Sequence, residues 1–167
     1  SSPNTKNLRD LQSEENLNLL IKHLKSEQNK LSKLHQKYTP FLVKISPDLE
    51  HIHLDIICKI LIENNVDGII ATNTTIDRQD IFSSKHSQED GGLSGMPLKN
   101  KSTSVLRYIS NKVQGKLKII GVGGISSYKD AKEKFDNGAD LIQIYTGLIY
   151  KGLGLIDEIH RGIQQEK

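Results

Sequence analysis

The residues best placed to do chemistry sit at the ends of short apolar runs. The run from Leu117 to Val122 reads as a strand buried on both faces, and it empties into Gly123-Gly124 before Ser126 and Ser127 open a helical pattern at 128–137. Glycine lets a backbone approach an anion closely, and the N–H groups of a first helical turn point outward unpaired, so this stretch predicts a phosphate site. A tight left-handed turn is the plainer alternative for Gly-x-Gly-Gly alone. The next run, from Asp140 to Gly147, also ends in hydroxyl and glycine, at Tyr145-Thr146-Gly147, ahead of more helix. Two such strand ends in succession favour the phosphate reading.

Two further strand ends carry polar groups. Phe41 to Ile45 is a compact strand with Lys44 inside it, and Ser46-Pro47-Asp48 places that lysine near the strand's C-terminal end. An ammonium in a buried parallel strand is costly unless it meets an anion or polar ligand, and the alternative is a lysine that snorkels to water. The strand expected at 69–72 ends in Thr72-Asn73-Thr74-Thr75, a row of donors and acceptors suited to a planar, heteroatom-rich ligand.

The elements that must hold these residues follow from spacing. Ser13 stands as the N-cap of a long helix with Glu14 and Glu15 in its first turn, and Leu17, Leu20, Ile21, Leu24, Leu31 and Leu34 form one stripe. A helix is expected from Ile52 to Glu63 with Ile56, Ile57, Ile60 and Leu61 inward. Ser102 is expected to cap a helix ending at Val113, and a last helix covers about 155–164. Residues 76–100 are long, polar and glycine-bearing, which suggests a backbone bent around a ligand, with a flexible lid as the alternative. One helix followed by four strand–helix units, with polar or glycine residues after every strand, describes an α/β chain: the second half of a (β/α)₈ barrel. The opening Ser1-Ser2-Pro3-Asn4-Thr5 then reads as the loop after a fourth strand that precedes this chain.

Composition excludes several classes. Net charge is +3 with both signs interleaved, and aromatics make up 5 % with no basic stripe, so nucleic acid is not an expected partner. The single cysteine, Cys58, lies in an apolar helical pattern, where packing is its expected role in a chain suited to a reducing compartment. His51 and His53 begin a helix and lack further ligands at metal spacing, so solvent-facing histidines and no metal are expected. No apolar run approaches the ~20 residues that span a bilayer, and no signal peptide is expected.

Six motifs in order give the chain a specific resemblance: Ser1-Ser2-Pro3-Asn4-Thr5, Leu42 to Asp48, Ala71 to Thr75, Gly91-Gly92-Leu93-Ser94-Gly95, Gly121 to Ile125, and Gln143-Ile144-Tyr145. Together they resemble the C-terminal half of the dihydroorotate dehydrogenases, of the quinone-linked, class 2, membrane-associated type, over essentially all of residues 1–167. The resemblance implies FMN-dependent oxidation of (S)-dihydroorotate to orotate, a step of pyrimidine (UMP) biosynthesis, with quinone as the electron acceptor. It implies Ser2 as the general base at C5 of the substrate; Asn4, Asn73 and Thr74 as contacts to the pyrimidine ring; and Lys44 and Thr72 as contacts to the flavin ring. Gly95 and Gly124 match backbone contacts to FMN, and Tyr145 and Thr146 match the phosphate loop.

For the parent protein the resemblance implies a peripheral inner-membrane location, cytoplasmic or mitochondrial, with quinone taken up by N-terminal helices outside this chain. Other readings stay open: a catalytically silent half-barrel that self-associates through exposed strand edges, a soluble class 1 dihydroorotate or dihydropyrimidine dehydrogenase barrel, and a nicotinamide-binding Rossmann unit. The last is weak, because Ser126 stands where a third glycine belongs and no acid ends the following strand.

Overall fold

The computed structural model describes residues 1–165. A one-and-a-half-turn 3₁₀ segment, Leu8–Gln12, leads into α1, Glu14–His35. Four strand–helix units follow: β1 Leu42–Ile45 with α2 His51–Glu63; β2 Gly68–Ala71 with α3 Lys99–Val113; β3 Lys118–Val122 with α4 Tyr128–Asp136; and β4 Leu141–Gln143 with α5 Thr146–Lys151 and α6 Gly154–Gln165.

The strands are parallel and lie in the order β1-β2-β3-β4, with Ile45 opposite Ala71, Ala71 opposite Gly121, and Val122 opposite Gln143. Spatial order therefore equals chain order. A doubly wound nucleotide-binding sheet needs a point where that order reverses. This sheet has none, which removes the Rossmann alternative and leaves a singly wound half of a (β/α)₈ barrel.

The core follows the apolar pattern. Ile45, Ile69 and Ile119 from the sheet pack with Ile57 and Leu61 of α2 and Leu106, Ile109 and Val113 of α3. Ile125, Ala131, Leu155 and Ile159 form a second cluster beneath α4 and α6. Cys58 is buried in the larger cluster. His51 lies parallel to Tyr108 with ring centroids 4.0 Å apart, and His53 is exposed. Among the described residues no helix is long and apolar enough to cross a membrane.

At the strands' N-terminal ends, carboxylates pin the sheet. Asp67 accepts from Phe41 N–H (2.9 Å) and Asp140 from Ile119 N–H (2.8 Å). The opposite ends carry glycines and hydroxyls instead.

Four expectations change. On α1 only Leu17 and Ile21 are buried, while Leu24, Leu31 and Leu34 are exposed. A 22-residue helix runs about 33 Å, whereas a four-residue strand covers only about 13 Å, so the stripe overhangs its sheet. Ser13 occupies the N-cap position but its side chain makes no capping bond. Ser102 caps nothing. The 3₁₀ turn Met96–Leu98, with Pro97 in it, delivers the chain into α3 three residues earlier, and Ser102 is fully buried within that helix. The strand expected at 141–145 stops at Gln143, and Thr146 begins a separate short helix.

Candidate active site

The C-terminal ends of all four strands open onto one cavity. Lys44 of β1 lines it, with Thr72, Asn73 and Thr74 from the end of β2, Gly123 and Gly124 from the end of β3, and Gln143 at the end of β4 with 144–147 after it. Ser94 and Gly95 come from the long loop. Among the expected site residues, Lys44, Thr72, Asn73, Thr74, Gly95, Gly124, Tyr145 and Thr146 are thus brought together.

Ser2 and Asn4 stand outside the wall but are tied to it. Asn73 donates from Nδ2 to Ser1 Oγ (3.0 Å), and Asn4 Oδ1 accepts from Gly92 N–H (2.8 Å). Ser2 Oγ accepts from Asn4 N–H (3.2 Å). Gly92 sits so close to Thr74 that a Cβ there would lie 1.9 Å from Thr74 Oγ1 and 3.0 Å from Pro3 Cγ. Only a residue without a side chain lets these three strands of backbone converge.

The long loop is therefore folded back rather than loose. Thr75 and Leu93 exchange backbone hydrogen bonds, Thr75 N–H to Leu93 O (3.1 Å) and Leu93 N–H to Thr75 O (2.7 Å). Arg78 donates to Gly91 O (2.6 Å), and Thr146 donates from Oγ1 to Ser94 Oγ (2.9 Å).

Lys44 is the cavity's cation. Among the described residues no carboxylate pairs with it; the residue as a whole is exposed, and partial burial still pulls its ammonium below the ordinary lysine range. An unpaired ammonium in a partly desolvated cleft is poised to meet a ligand's negative charge or polar edge.

The anion donors differ from the sequence expectation in one respect. Two N–H groups in the first turn of α4 and one just before it already have acceptors: Tyr128 N–H bonds Glu158 Oε1 (2.8 Å), Asp130 N–H bonds Ser127 Oγ (3.2 Å), and Ser126 N–H bonds Asp130 Oδ2 (3.0 Å). The Ser127 cap and an acidic side chain thus occupy the place where a phosphate was expected. The donors left over lie just before that helix and across the cleft from it. Among the described residues the N–H groups of Gly95, Gly124, Thr146 and Gly147 have no acceptor, and all four residues line the cavity. Gly95 (φ +78°) and Gly124 (φ +70°) hold backbone conformations that side chains resist.

Arg9 was not legible as a site residue, since it lies in a polar stretch without periodicity. Its guanidinium joins Ser1 O (Nε, 3.3 Å), Thr74 O (Nη2, 3.1 Å) and Asp48 Oδ2 (Nη1, 3.0 Å). Lys101 reinforces the same corner through Asp48 (2.8 Å) and Asp77 (3.1 Å).

Comparison with known proteins agrees with this geometry. The family described as dihydroorotate dehydrogenase matches residues 1–166. "Dihydroorotate dehydrogenase (quinone)" of Vibrio vulnificus is 50 % identical over 163 residues, covering 98 % of this chain and 48 % of its own length. The protein of the same name from Escherichia fergusonii is 51 % identical over 159 residues, covering 95 % of this chain and 47 % of its own. A crystal structure of DHODH from Eimeria tenella in complex with ferulenol superposes with a TM-score of 0.92 at 35 % identity, over 99 % of this chain and 47 % of that one. The chain spans about half the length of the curated relatives it matches. With its singly wound sheet, its polar strand ends and a family match along nearly its whole length, the chain belongs to the dihydroorotate dehydrogenase family.

Proposed function

We propose that this chain is the second half of one FMN-binding barrel domain, in a protein that oxidises (S)-dihydroorotate to orotate in pyrimidine biosynthesis and passes the electrons to quinone. The observation that carries the reading is the convergence, in one cavity, of an ammonium and four N–H donors that have no partner among the described residues, with a row of neutral hydrogen-bonding side chains.

That donor set fits FMN. Gly124, Tyr145 and Thr146 would hold its phosphate with their backbone, Gly95 would contact it through its own, and Lys44 and Thr72 would meet the ring. When bound, FMN supplies a two-electron hydride acceptor. Asn4, Asn73 and Thr74 would orient the pyrimidine ring, fixing C5 against Ser2. Ser2 Oγ takes the C5 proton while its own hydrogen passes to water, and the Asn4 N–H bond holds that oxygen in place. The names of the relatives support quinone as the acceptor, and with it a peripheral location at an inner membrane.

The purified parent protein that contains this chain should show flavin absorbance, lose it anaerobically on addition of dihydroorotate, and regain it on addition of a short-chain quinone. A protein that takes up no FMN, or a flavin that dihydroorotate leaves oxidised, overturns the reading.

A second reading concerns these 167 residues alone. β1 and β4 are open edges, Leu141 is 61 % exposed, and Ile142, Ile144, Leu148, Ile156 and Ile163 line an apolar groove beside β4. Unpaired edges and apolar faces pair with whatever strand is offered. The chain by itself is then a catalytically silent half-barrel that self-associates and holds FMN weakly. Its mass in solution, an FMN titration and a dye-reduction assay decide: a monomer with tight FMN and turnover refutes it.

A further inference from the structure

Lys134 is fully buried, and among the described residues no carboxylate is hydrogen-bonded to it. It projects from α4 towards α3, where its Nζ donates to Ser102 Oγ (2.5 Å), Thr103 Oγ1 (2.7 Å) and Lys99 O (3.4 Å). The charged groups around it are engaged elsewhere: Lys99 of α3 is ion-paired to Asp130 (2.6 Å) and Glu133 (2.9 Å) of α4. A buried ammonium held only by neutral oxygens is expensive for the fold, and a function in the adjoining cavity explains its presence.

Ser102 links it to that cavity. The hydroxyl that accepts from Lys134 has one hydrogen to give, and two carbonyls within reach: Lys99 O (3.0 Å) and Gly123 O (3.2 Å). Lys99 O already accepts from Thr103 Oγ1 (2.9 Å) and from Lys134. Gly123 O has no other donor among the described residues. The hydrogen therefore belongs on Gly123 O.

In a trans peptide the C=O and the next N–H point in opposite directions. Anchoring Gly123 O against α3 thus aims Gly124 N–H away from α3 and into the cavity. Both residues have positive φ (+118° and +70°) and no side chain of their own, so that peptide plane is fixed from outside the pair, by this hydrogen bond and by close packing against Leu98, Lys99 and Ser102.

We infer that Lys134 and Ser102 are positioning residues for the anion donors of the flavin site, a relay from a buried ammonium through a hydroxyl to the Gly123–Gly124 peptide. The inference rests on the FMN reading given above. Burial brings the Lys134 amine down to about 8, with Glu133, Lys99 and Asp130 as smaller influences. Once deprotonated, the amine can accept from Ser102, which turns the hydroxyl hydrogen away from Gly123 O and removes the one hydrogen bond that orients the peptide, leaving only its packing.

The test separates phosphate binding from ring binding. The purified parent protein that contains this chain, stripped of flavin, is titrated with FMN and with riboflavin, which has the same ring and no phosphate. Native protein should prefer FMN. Ser102→Ala and Lys134→Met should each weaken FMN by about tenfold or more, with riboflavin changed by less than about threefold. The native preference should also fall as pH rises through about 8 and be flat with pH in Lys134→Met. A full FMN preference in both variants across that range overturns the relay. Inorganic phosphate, followed at the Gly124 amide by NMR, reads the loop independently of flavin. If native protein binds phosphate there but no FMN, the functional reading fails, and the relay stands or falls on whether the variants lose the phosphate shift. A native protein that binds neither overturns both.

Discussion

Arg9 and Asp48 are joined at 3.0 Å between Nη1 and Oδ2, and this ion pair fastens the segment carrying Ser2 to the end of β1. The same guanidinium holds Ser1 O and Thr74 O. Removing it should cost little global stability, on the order of 1 kcal/mol, because Asp48 keeps Lys101 and the Thr75 hydroxyl. Positioning is more sensitive. Arg9→Met should lower kcat by roughly 10- to 100-fold, with a melting temperature close to native. An unchanged kcat removes Arg9 from the machinery.

Ser2→Ala should slow flavin reduction by dihydroorotate at least ~10²-fold. Orotate affinity should change far less, because Asn73 and Thr74 remain. Single-turnover absorbance at saturating substrate reads the step directly, and a native rate rules Ser2 out as the base.

Among the described residues Lys44 pairs with no carboxylate, so its charge is available to the ligand. With FMN still bound, Lys44→Ala should lower the flavin's reduction potential and weaken its affinity, since the ammonium favours added electron density. Potentiometry on the variant measures this. An unaltered potential returns Lys44 to a lysine reaching for water.

Asp130 gives a pH-dependent contribution to stability. Burial pushes its carboxyl up, but Lys99, Ser127 and Ser126 outweigh that and hold it at about 2. An unfolded aspartate titrates near ~3.9. The folded value is the lower one, so the stabilisation is complete above the unfolded value and disappears as pH falls through about 2. Asp130→Asn should therefore cost about 2 kcal/mol at neutral pH. In urea melts that deficit should shrink on acidification below pH ~4. A deficit that does not vary with pH contradicts the assignment.

Much of the architecture was legible because each strand is a short apolar run and most of the cavity's residues fall at or just after the end of one. Lys44, Thr72 to Thr74, Gly124 and Thr146 needed only that rule to be placed at one end of the sheet. Burial partners were not legible. Ser102 has the residue type of a cap, and only the 3₁₀ turn through Pro97 shows that α3 has already begun. Lys134 looks like one more solvated lysine beside Lys129 and Lys132, and its inward direction depends on how α4 is rotated against α3. The α4 N-terminus likewise looked open to an anion, because the reach of Glu158 back to Tyr128 N–H spans thirty residues of chain.

Cys58 has a practical consequence. It is 4 % exposed on the buried face of α2, and burial pushes its thiol up to about 11, so the reactive thiolate is both scarce and enclosed. An alkylating reagent can reach it only when α2 lifts from its neighbours. As the sequence contains one cysteine, the labelling rate is a single-site clock for that opening, readable by mass spectrometry without any engineered probe. Saturating ligand that tightens the barrel slows the clock, and any variant that loosens the helical layer quickens it, even where its overall melting curve is unmoved.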